Sequence, residues 1–566
     1  VTARLTCLAL LFTAAALAKD SPLERPPPTF NRDIAPIVFS QCVVCHHPGG
    51  TGPFSLTNYA EVKKRAKLIA RVTTSRFMPP WLPEPGHGDF LGERRLDDGQ
   101  ITLLDRWWKA GAPEGAAAPL MAKPLWNDDW QLGRPDLVVT LPEPYSLPAG
   151  GKDVYRNFVI SKVVPADRWL RASEFRPGVT AAVHHAFVLL DDTGGARRRE
   201  ARETEPGFPG MDAAGASSSD AMFMGWQPGK RPVEAPSGLA AILHKGTDLV
   251  LQLHMRPTGK REKIQPSVAL YFTDQPPART AFMLLLRSTE IDIPPDTTDY
   301  AIESSYRLPV DVDALSILPH LHYLGREVHG WAELPDGTER ELILIKQWDF
   351  NWQGDYRYAA PVFLPKGSTL RMRFTYDNSA SNPRNPHQPP QRVSYGLQSS
   401  DEMGELWFQL LPRNPPDLDV LSQDFVKNRG LPDAIAWARS MLRKDPKNAA
   451  CRADLGAALA ASGRIVEAVQ TLEQAIVDDP KLAQAHYLLG QIFCQQQNPA
   501  KAKTALTRAV ELDPENSNAQ NDLGWLLLAT GDISMAIEHL EKAVQLNPTD
   551  TLAKQNLEKA RAKLNR

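Results

Sequence analysis

Cysteine is scarce in this chain: five occur in 566 residues, and none lies between Cys45 and Cys451. Disulfides are therefore excluded from the whole middle of the polypeptide, which must be held by packed apolar cores. Net charge is lacking too. Lys and Arg number 64 against 66 Asp and Glu, a formal balance of −2, and without a basic stripe no nucleic-acid partner is expected. The basic run Arg197-Arg198-Arg199 is answered at once by Glu200 and Glu203 and reads as a solvated loop. Long apolar runs are missing beyond the first eighteen residues, so no membrane span is expected. Those eighteen carry Arg4, an apolar stretch over 8–17 and the small-residue ending Ala16-Leu17-Ala18. That is the layout of a signal peptide at 1–18, and it predicts an exported, soluble protein in the periplasm or outside the cell.

The length implies several domains. Residues 19–29, with Pro26-Pro27-Pro28, read as a linker. Next comes Cys42-Val43-Val44-Cys45-His46, and C-x-x-C-H is the attachment pattern of a c-type haem. Two thiols on one helical turn reach both vinyl groups, and His46 follows where it can bind iron. A thioredoxin-like dithiol would need a βαβ pattern, and half a zinc site would need another Cys pair nearby; neither is there. Met78, in Arg76-Phe77-Met78-Pro79-Pro80-Trp81, is the one Met between the motif and the end of this region. It is the expected second axial ligand, a thioether that raises the potential of an electron carrier; His47 and His87 are the alternatives. The stretch from Asp97 to Trp108 reads as a capped amphipathic helix stopped at Gly111. Over about 30–115 the chain resembles small monohaem cytochromes c, which implies one covalently attached haem in a small all-α domain.

Residues 112–124, rich in Ala, Pro and Gly, read as an interdomain linker. From about 130 to 412 the texture is short apolar or alternating runs broken by Pro and Gly, such as Phe187-Val188-Leu189-Leu190 and Leu342-Ile343-Leu344-Ile345. This predicts two antiparallel β-sandwiches, at 130–288 and 289–412, with a break near Pro294-Pro295 and a long loop over 194–229. Beyond them, Leu455-Gly456, Leu489-Gly490 and Leu523-Gly524 recur every 34 residues, as do Pro480, Pro514 and Pro548. That period predicts an α-solenoid of tetratricopeptide repeats over 415–566, closed by a capping helix. Such an array presents a surface for a partner protein or acts as a rigid spacer.

The middle of the chain gathers its histidines in an unusual way. His184-His185 sit together in an apolar run, and His254 ends Leu249-Val250-Leu251-Gln252-Leu253-His254. His320 and His322 are two apart, and Met403 lies in Ser400-Asp401-Glu402-Met403-Gly404. Residues two apart on a strand face the same way, so His320 and His322 form a two-nitrogen clamp. Adjacent histidines reach one metal only at a bulge or strand end, or through different ring nitrogens. In the run 249–254, Gln252 and His254 share one face while the leucines face a core. Taken alone, each His is ordinary; as a set they offer three nitrogens at one place, and two nitrogens with a thioether at another. Imidazole with thioether selects copper, above all Cu(I), whereas zinc takes Cys, His and carboxylates. His244 at a turn, and His329, His387, His486 and His539, have no comparable setting.

In order, Val183-His184-His185, Leu251-Gln252-Leu253-His254, His320-Leu321-His322-Tyr323-Leu324-Gly325 and Ser400-Asp401-Glu402-Met403 resemble the motifs of copper type II ascorbate-dependent monooxygenases. These include peptidylglycine α-hydroxylating and dopamine β-monooxygenases, and the resemblance covers about 130–412. It implies two copper ions. His184, His185 and His254 would hold the electron-transfer copper, and His320, His322 and Met403 the copper that meets O2 and a C–H substrate. Peptide-amidating members have Arg two residues before the H-x-H pair and Tyr four after the Met, where this chain has Leu318 and Trp407. A peptidylglycine substrate is disfavoured by that difference, and something less polar is expected. The family's disulfides are absent as well. Relatives draw electrons from ascorbate; here the tethered haem is expected to pass electrons from an external donor, since a short tether raises local donor concentration. The competing expectation is an extracellular haem and copper electron-transfer or sensing protein with a repeat docking module.

Overall fold

The computed structural model describes residues 26–48, 50–116, 130–222, 224–230, 232–548 and 550–565. The expected signal at 1–18, and most of the linkers at 19–29 and 112–124, lie outside the described residues. The described residues fall into two compact units: those within Val1–Pro80 and Arg94–Trp126, and those within Trp81–Glu93 and Asn127–Arg566.

The first unit is helical, with helices Ala35–Gln41, Tyr59–Lys64, Ala66–Thr74 and Asp98–Lys109. The last begins with a reciprocal cap: Gln100 N–H donates to Asp97 Oδ1 at 2.7 Å, and Asp97 N–H to Gln100 Oε1 at 3.1 Å. Its buried side, Leu104 and Trp107, shares one core with Phe30, Ile34, Val38, Leu56 and Val62. Trp107 spends its one donor on the Pro113 carbonyl at 3.0 Å.

The expected region 30–115 is not one body, because Trp81–Glu93 belongs to the second unit. There the Glu84 N–H donates to Leu344 O at 2.7 Å and the Leu91 N–H to Arg357 O at 2.8 Å. Phe90 forms a bridge with Tyr358 and joins the large β core. A Pro- and Gly-rich stretch carries no pattern that reveals such a strap.

The second unit begins with two antiparallel sheets. One is built on Leu137–Thr140, Ser267–Thr273 and Arg168–Arg176, the other on Val154–Ile160, Asp248–Met255 and Val183–Asp191. Leu170, Val268 and Leu270 from the first share a core with Phe158, Val188, Leu251 and Leu253 from the second. The strand Asp248–Met255 is buried along its whole length. Leu249, Leu251, Leu253 and Met255 face that core, while Val250 packs on the other side with Val159, Leu189 and Phe208. The stretch expected as a loop, 194–229, contributes the helix Gly195–Glu200 and two short strands, Phe208–Pro209 and Gly225–Trp226, at the sheet edges.

A further pair of four-stranded sheets follows. Phe282–Arg287, Glu405–Pro412, Val312–His320 and Tyr356–Leu364 make one; Tyr300–Arg307, Thr369–Tyr376, Gly325–Glu333 and Glu339–Ile345 make the other. They enclose a single core that includes Leu286, Ile317, Val328, Leu342, Phe374 and Phe408. The expected division at 288/289 is corrected by this pairing. Phe282–Arg287 lies in register with Leu410 to Glu405, so the chain crosses into the second pair of sheets before that strand, ahead of Pro294-Pro295.

Paired helices close the chain: Ala449–Ala461 with Ile465–Asp478, Ala483–Gln495 with Pro499–Leu512, and Ser517–Thr530 with Ile533–Leu546, then Thr551–Leu564. A Cβ on Gly456, Gly490 or Gly524 would lie 2.6, 2.6 or 2.7 Å from Cγ of Leu472, Leu506 or Leu540. The recurring glycine is thus the place where paired helices approach too closely for any side chain. Asp433 of helix Leu431–Lys444 pairs with Arg429 at 2.8 Å and with Arg287 of the β region at 3.9 Å.

Candidate metal centres

The strands Asp248–Met255 and Val183–Asp191 pair so that His254 faces His185 and Met255 faces Val183. His184 is the extra residue of that bulge. A flat strand would send His184 and His185 to opposite faces; the bulge brings both toward His254. Nδ1 of His184 lies 3.1 Å from Nδ1 of His185 and 3.2 Å from Nδ1 of His254. Among the described residues, these three form the one group of His, Cys or carboxylate side chains close enough to share a metal ion.

Partners fix the ring of His254. Its Nε2 donates to Asp153 Oδ2 at 2.6 Å, so the Nδ1 lone pair faces the cluster. The Tyr155 ring stacks on it at 4.2 Å. Arg256 lies 3.5 Å from Asp153 and donates to the Tyr323 hydroxyl at 2.7 Å. His184 Nε2 is buried without a hydrogen-bond partner among the described residues. Burial pushes His184 down to about 3 and His185 well below the usual histidine value. It also lowers His254, against the opposing hydrogen bond that His254 donates to Asp153. All three rings are therefore neutral near pH 7, with lone pairs available.

His320 ends the strand Val312–His320, and His322 follows the fully buried Leu321. Their ring centroids lie 5.2 Å apart. His320 Nδ1 donates to Gln353 Oε1, while the Gln353 amide nitrogen is held by the Phe350 carbonyl at 3.1 Å. His322 Nδ1 donates to the Asp401 carbonyl at 3.1 Å. Both rings thus keep Nε2 as the free lone pair. Burial pushes His322 down to about 3.

Met403, His320 and His322 border one cavity of about 230 Å³, and His184 and His185 border it as well. The Phe350 ring stands between the two sets, 5.3 Å from His184 and 5.4 Å from His322. The backbone around Met403 is tied to His322 through Glu402. That carboxylate is fully buried and accepts from the N–H groups of His322 at 3.0 Å, Leu324 at 2.6 Å and Met403 at 3.3 Å. Burial pushes its pKa up to about 8 against those three donors. Lys444, at the end of helix Leu431–Lys444, holds Asp401 at 2.9 Å.

In the helical unit, the N–H groups of Cys45 and His46 both donate to Cys42 O, at 3.2 and 3.0 Å, forming a tight turn. The two thiols are not joined. His46 Nδ1 donates to Phe54 O at 3.0 Å, and its ring stacks on Phe54 at 4.7 Å, so Nε2 is left to bind. A Cβ on Gly52 would sit 2.5 Å from that Nδ1, which makes glycine necessary beside the ring. Met78 lies half-buried after helix Ala66–Thr74, its N–H on Val72 O at 3.1 Å. Of the alternatives, His47 Nδ1 pairs with Pro48 O at 2.9 Å. His87 lies within Trp81–Glu93 of the second unit, its Nδ1 3.0 Å from Glu341 Oε2.

Asp153, Gln353, Phe350 and Glu402 carry no signal of their own in sequence, apart from the position of Glu402 beside Met403. His329 has a setting after all: with His87 it clasps Glu341, at 2.9 Å. His244 is exposed beside Asp167.

Family models of the tetratricopeptide repeat match residues 431–492 and 487–551. No curated protein sequence matches the chain significantly. Among solved structures, the crystal structure of MamA protein is similar at 26% identity over 26% of this chain and 80% of that one, with a TM-score of 0.23. The C-terminal array is therefore a tetratricopeptide solenoid, an architecture that engages protein partners. No described helix is long and apolar enough to cross a membrane.

Proposed function

We propose that the protein is a copper-dependent monooxygenase hydroxylating a substrate C–H bond with O2, its electrons arriving from an external donor through a c-type haem on the same chain. One observation carries the reading: His184 and His185 of the three-histidine group border the same cavity as His320, His322 and Met403. The donors fit copper. Imidazoles with a thioether suit Cu(I) and not magnesium, calcium or manganese. The Nδ1 atom of His184 lies 3.1 and 3.2 Å from the Nδ1 atoms of His185 and His254, a convergence of nitrogen donors that a single ion could share. In the helical unit, two unjoined thiols one turn apart and a His46 ring pinned at Nδ1 fit a covalently attached haem, with Met78 as the second axial candidate.

Bound copper would supply one-electron redox chemistry and O2 activation, and haem a store for the incoming electrons. The chain's own residues do the rest. Asp153 holds the Nε2 proton of His254 and so turns the Nδ1 lone pair inward. Gln353 and the Asp401 carbonyl do the converse for His320 and His322, presenting Nε2. Glu402 keeps the backbones of His322 and Met403 in register, and the Phe350 ring stands between the sets. The balance is one C–H bond, O2, two electrons and two protons giving one alcohol and one water.

In this reading the helical unit is a cytochrome c-type domain, and each pair of sheets is a β-sandwich bearing one copper set. The protein works outside the cytoplasm, and the repeats dock a protein partner. The test is copper and haem stoichiometry of the full chain, with isotope-labelled O2 traced into product. Failure to bind copper, or O2 consumption with no oxygenated product, overturns the reading. Copper and haem that reduce each other without product would indicate an electron-relay protein instead.

A further inference from the structure

We propose that the cavity between the two sets is shaped for a compact, largely apolar substrate without a carboxylate, and that Leu318 and Trp407 set this choice. The reaction it serves rests on the oxygenase reading; the class of ligand rests on the cavity itself.

Size comes first. An apolar cavity of about 150 Å³ holds a benzene ring, so the roughly 230 Å³ here accommodates a singly substituted ring or a short branched chain.

Charge comes second. Among the described residues lining the cavity, the charged side chains are Lys230, Asp355 and Glu405. Lys230 and Asp355 neutralise each other at 2.7 Å, with side chains only 11% and 15% exposed. Glu405 Oε2 accepts from Trp407 Nε1 at 3.1 Å. The sole cation on that wall is thus already matched, and a carboxylate entering the cavity would be desolvated beside Glu405 with no counter-charge.

The floor comes third. In the paired strands Val312–His320 and Glu405–Pro412, Leu318 lies opposite Trp407 and His320 opposite Glu405. Residues two apart share a face, so Leu318 and Trp407 form an apolar platform one step from His320. A ring lying on that platform brings its substituent carbons toward the His320, His322 and Met403 set, with the indole offering a stacking surface.

The test compares toluene and benzyl alcohol with benzoate, close in size and differing in charge. Ligand-observed NMR on the full chain without copper gives the affinities. The neutral compounds should bind at least tenfold tighter than benzoate, and Leu318→Arg should tighten benzoate at least tenfold while weakening toluene. Benzoate binding the wild-type chain as tightly as toluene overturns the proposal, even if the variant does not fold. The same compounds are then offered to the copper-loaded chain with O2. Selective binding of neutral ligands with no hydroxylation of any compound sinks the oxygenase reading and leaves the ligand class standing. Hydroxylation with benzoate preferred does the reverse.

Discussion

Asp153 and His254 share a hydrogen bond of 2.6 Å across 101 residues of sequence. The same oxygen, Asp153 Oδ2, also meets Arg256 Nε at 3.5 Å, so the carboxylate is oriented by two partners of this chain. An outer carboxylate of this kind fixes which ring nitrogen is free, and its loss typically weakens metal binding about 10–100-fold. Asp153→Ala should therefore lower copper affinity at the three-histidine set by that factor, while Asp153→Asn, which can still accept the Nε2 proton, should recover part of it. Competition with a Cu(I) chelator on the full chain measures both. Affinity unchanged in the Ala variant would show that Asp153 does not orient His254.

The gathering of the three histidines is readable in sequence because adjacent His184 and His185 demand a bulge, and alternation over 249–254 puts His254 opposite the leucines. The helix Asp98–Lys109 and the repeats are readable for a similar reason: caps and a 34-residue period are local signals. What escapes is long-range. Asp153 and Glu402 act across 101 and 80 residues, and nothing near either names its partner. Phe282–Arg287 is an ordinary apolar strand, and only its pairing with Glu405–Pro412 says which sheet it joins. Pro294-Pro295 punctuates the chain but marks no domain boundary.

Glu402 accepts three backbone N–H groups while fully buried. Glu402→Ala leaves those donors without an acceptor in a closed pocket, where each orphaned group costs about 1–3 kcal/mol. We expect a loss of at least about 2 kcal/mol in denaturant unfolding of the β region. Glu402→Gln retains a carbonyl acceptor and should lose less. Met403 should also become more mobile in the Ala variant, seen as a broadened methyl resonance. Equal stability of the Ala variant and wild type would remove Glu402 from the support of the site.

In the repeats, Gly490→Ala tests close helix approach against helix propensity. An exposed mid-helix Gly→Ala gains about 1 kcal/mol. Here the new methyl would lie 2.6 Å from Cγ of Leu506, and overpacking costs about 1–3 kcal/mol. The expected sign is destabilisation, read as a lower helical melting temperature of the full chain by circular dichroism. Gly490→Ala paired with Leu506→Ala should restore helix contact at the cost of a smaller core. A stabilised single variant would mean the helices sit farther apart than described.

Glu341 gives a pH dependence whose sign can be worked out. Burial alone would raise its carboxyl, but hydrogen bonds from His87 and His329, at 3.0 and 2.9 Å, hold it below the ordinary glutamate value. A carboxyl lowered on folding contributes stability that is fully present above its unfolded value, about 4.3. That stability is lost as pH falls through the lower folded value. Because His87 sits in the strap Trp81–Glu93 and Glu341 in the strand Glu339–Ile345, the loss should loosen the strap first. The amides of Glu84 and Leu91, bonded to Leu344 O and Arg357 O, should exchange hydrogen faster below pH about 4 than at pH 6 after correction for intrinsic rates. In Glu341→Gln the protection at pH 6 should already be reduced and its change with pH flattened. Strap protection that falls equally with pH in both proteins would assign the acid sensitivity to some other group.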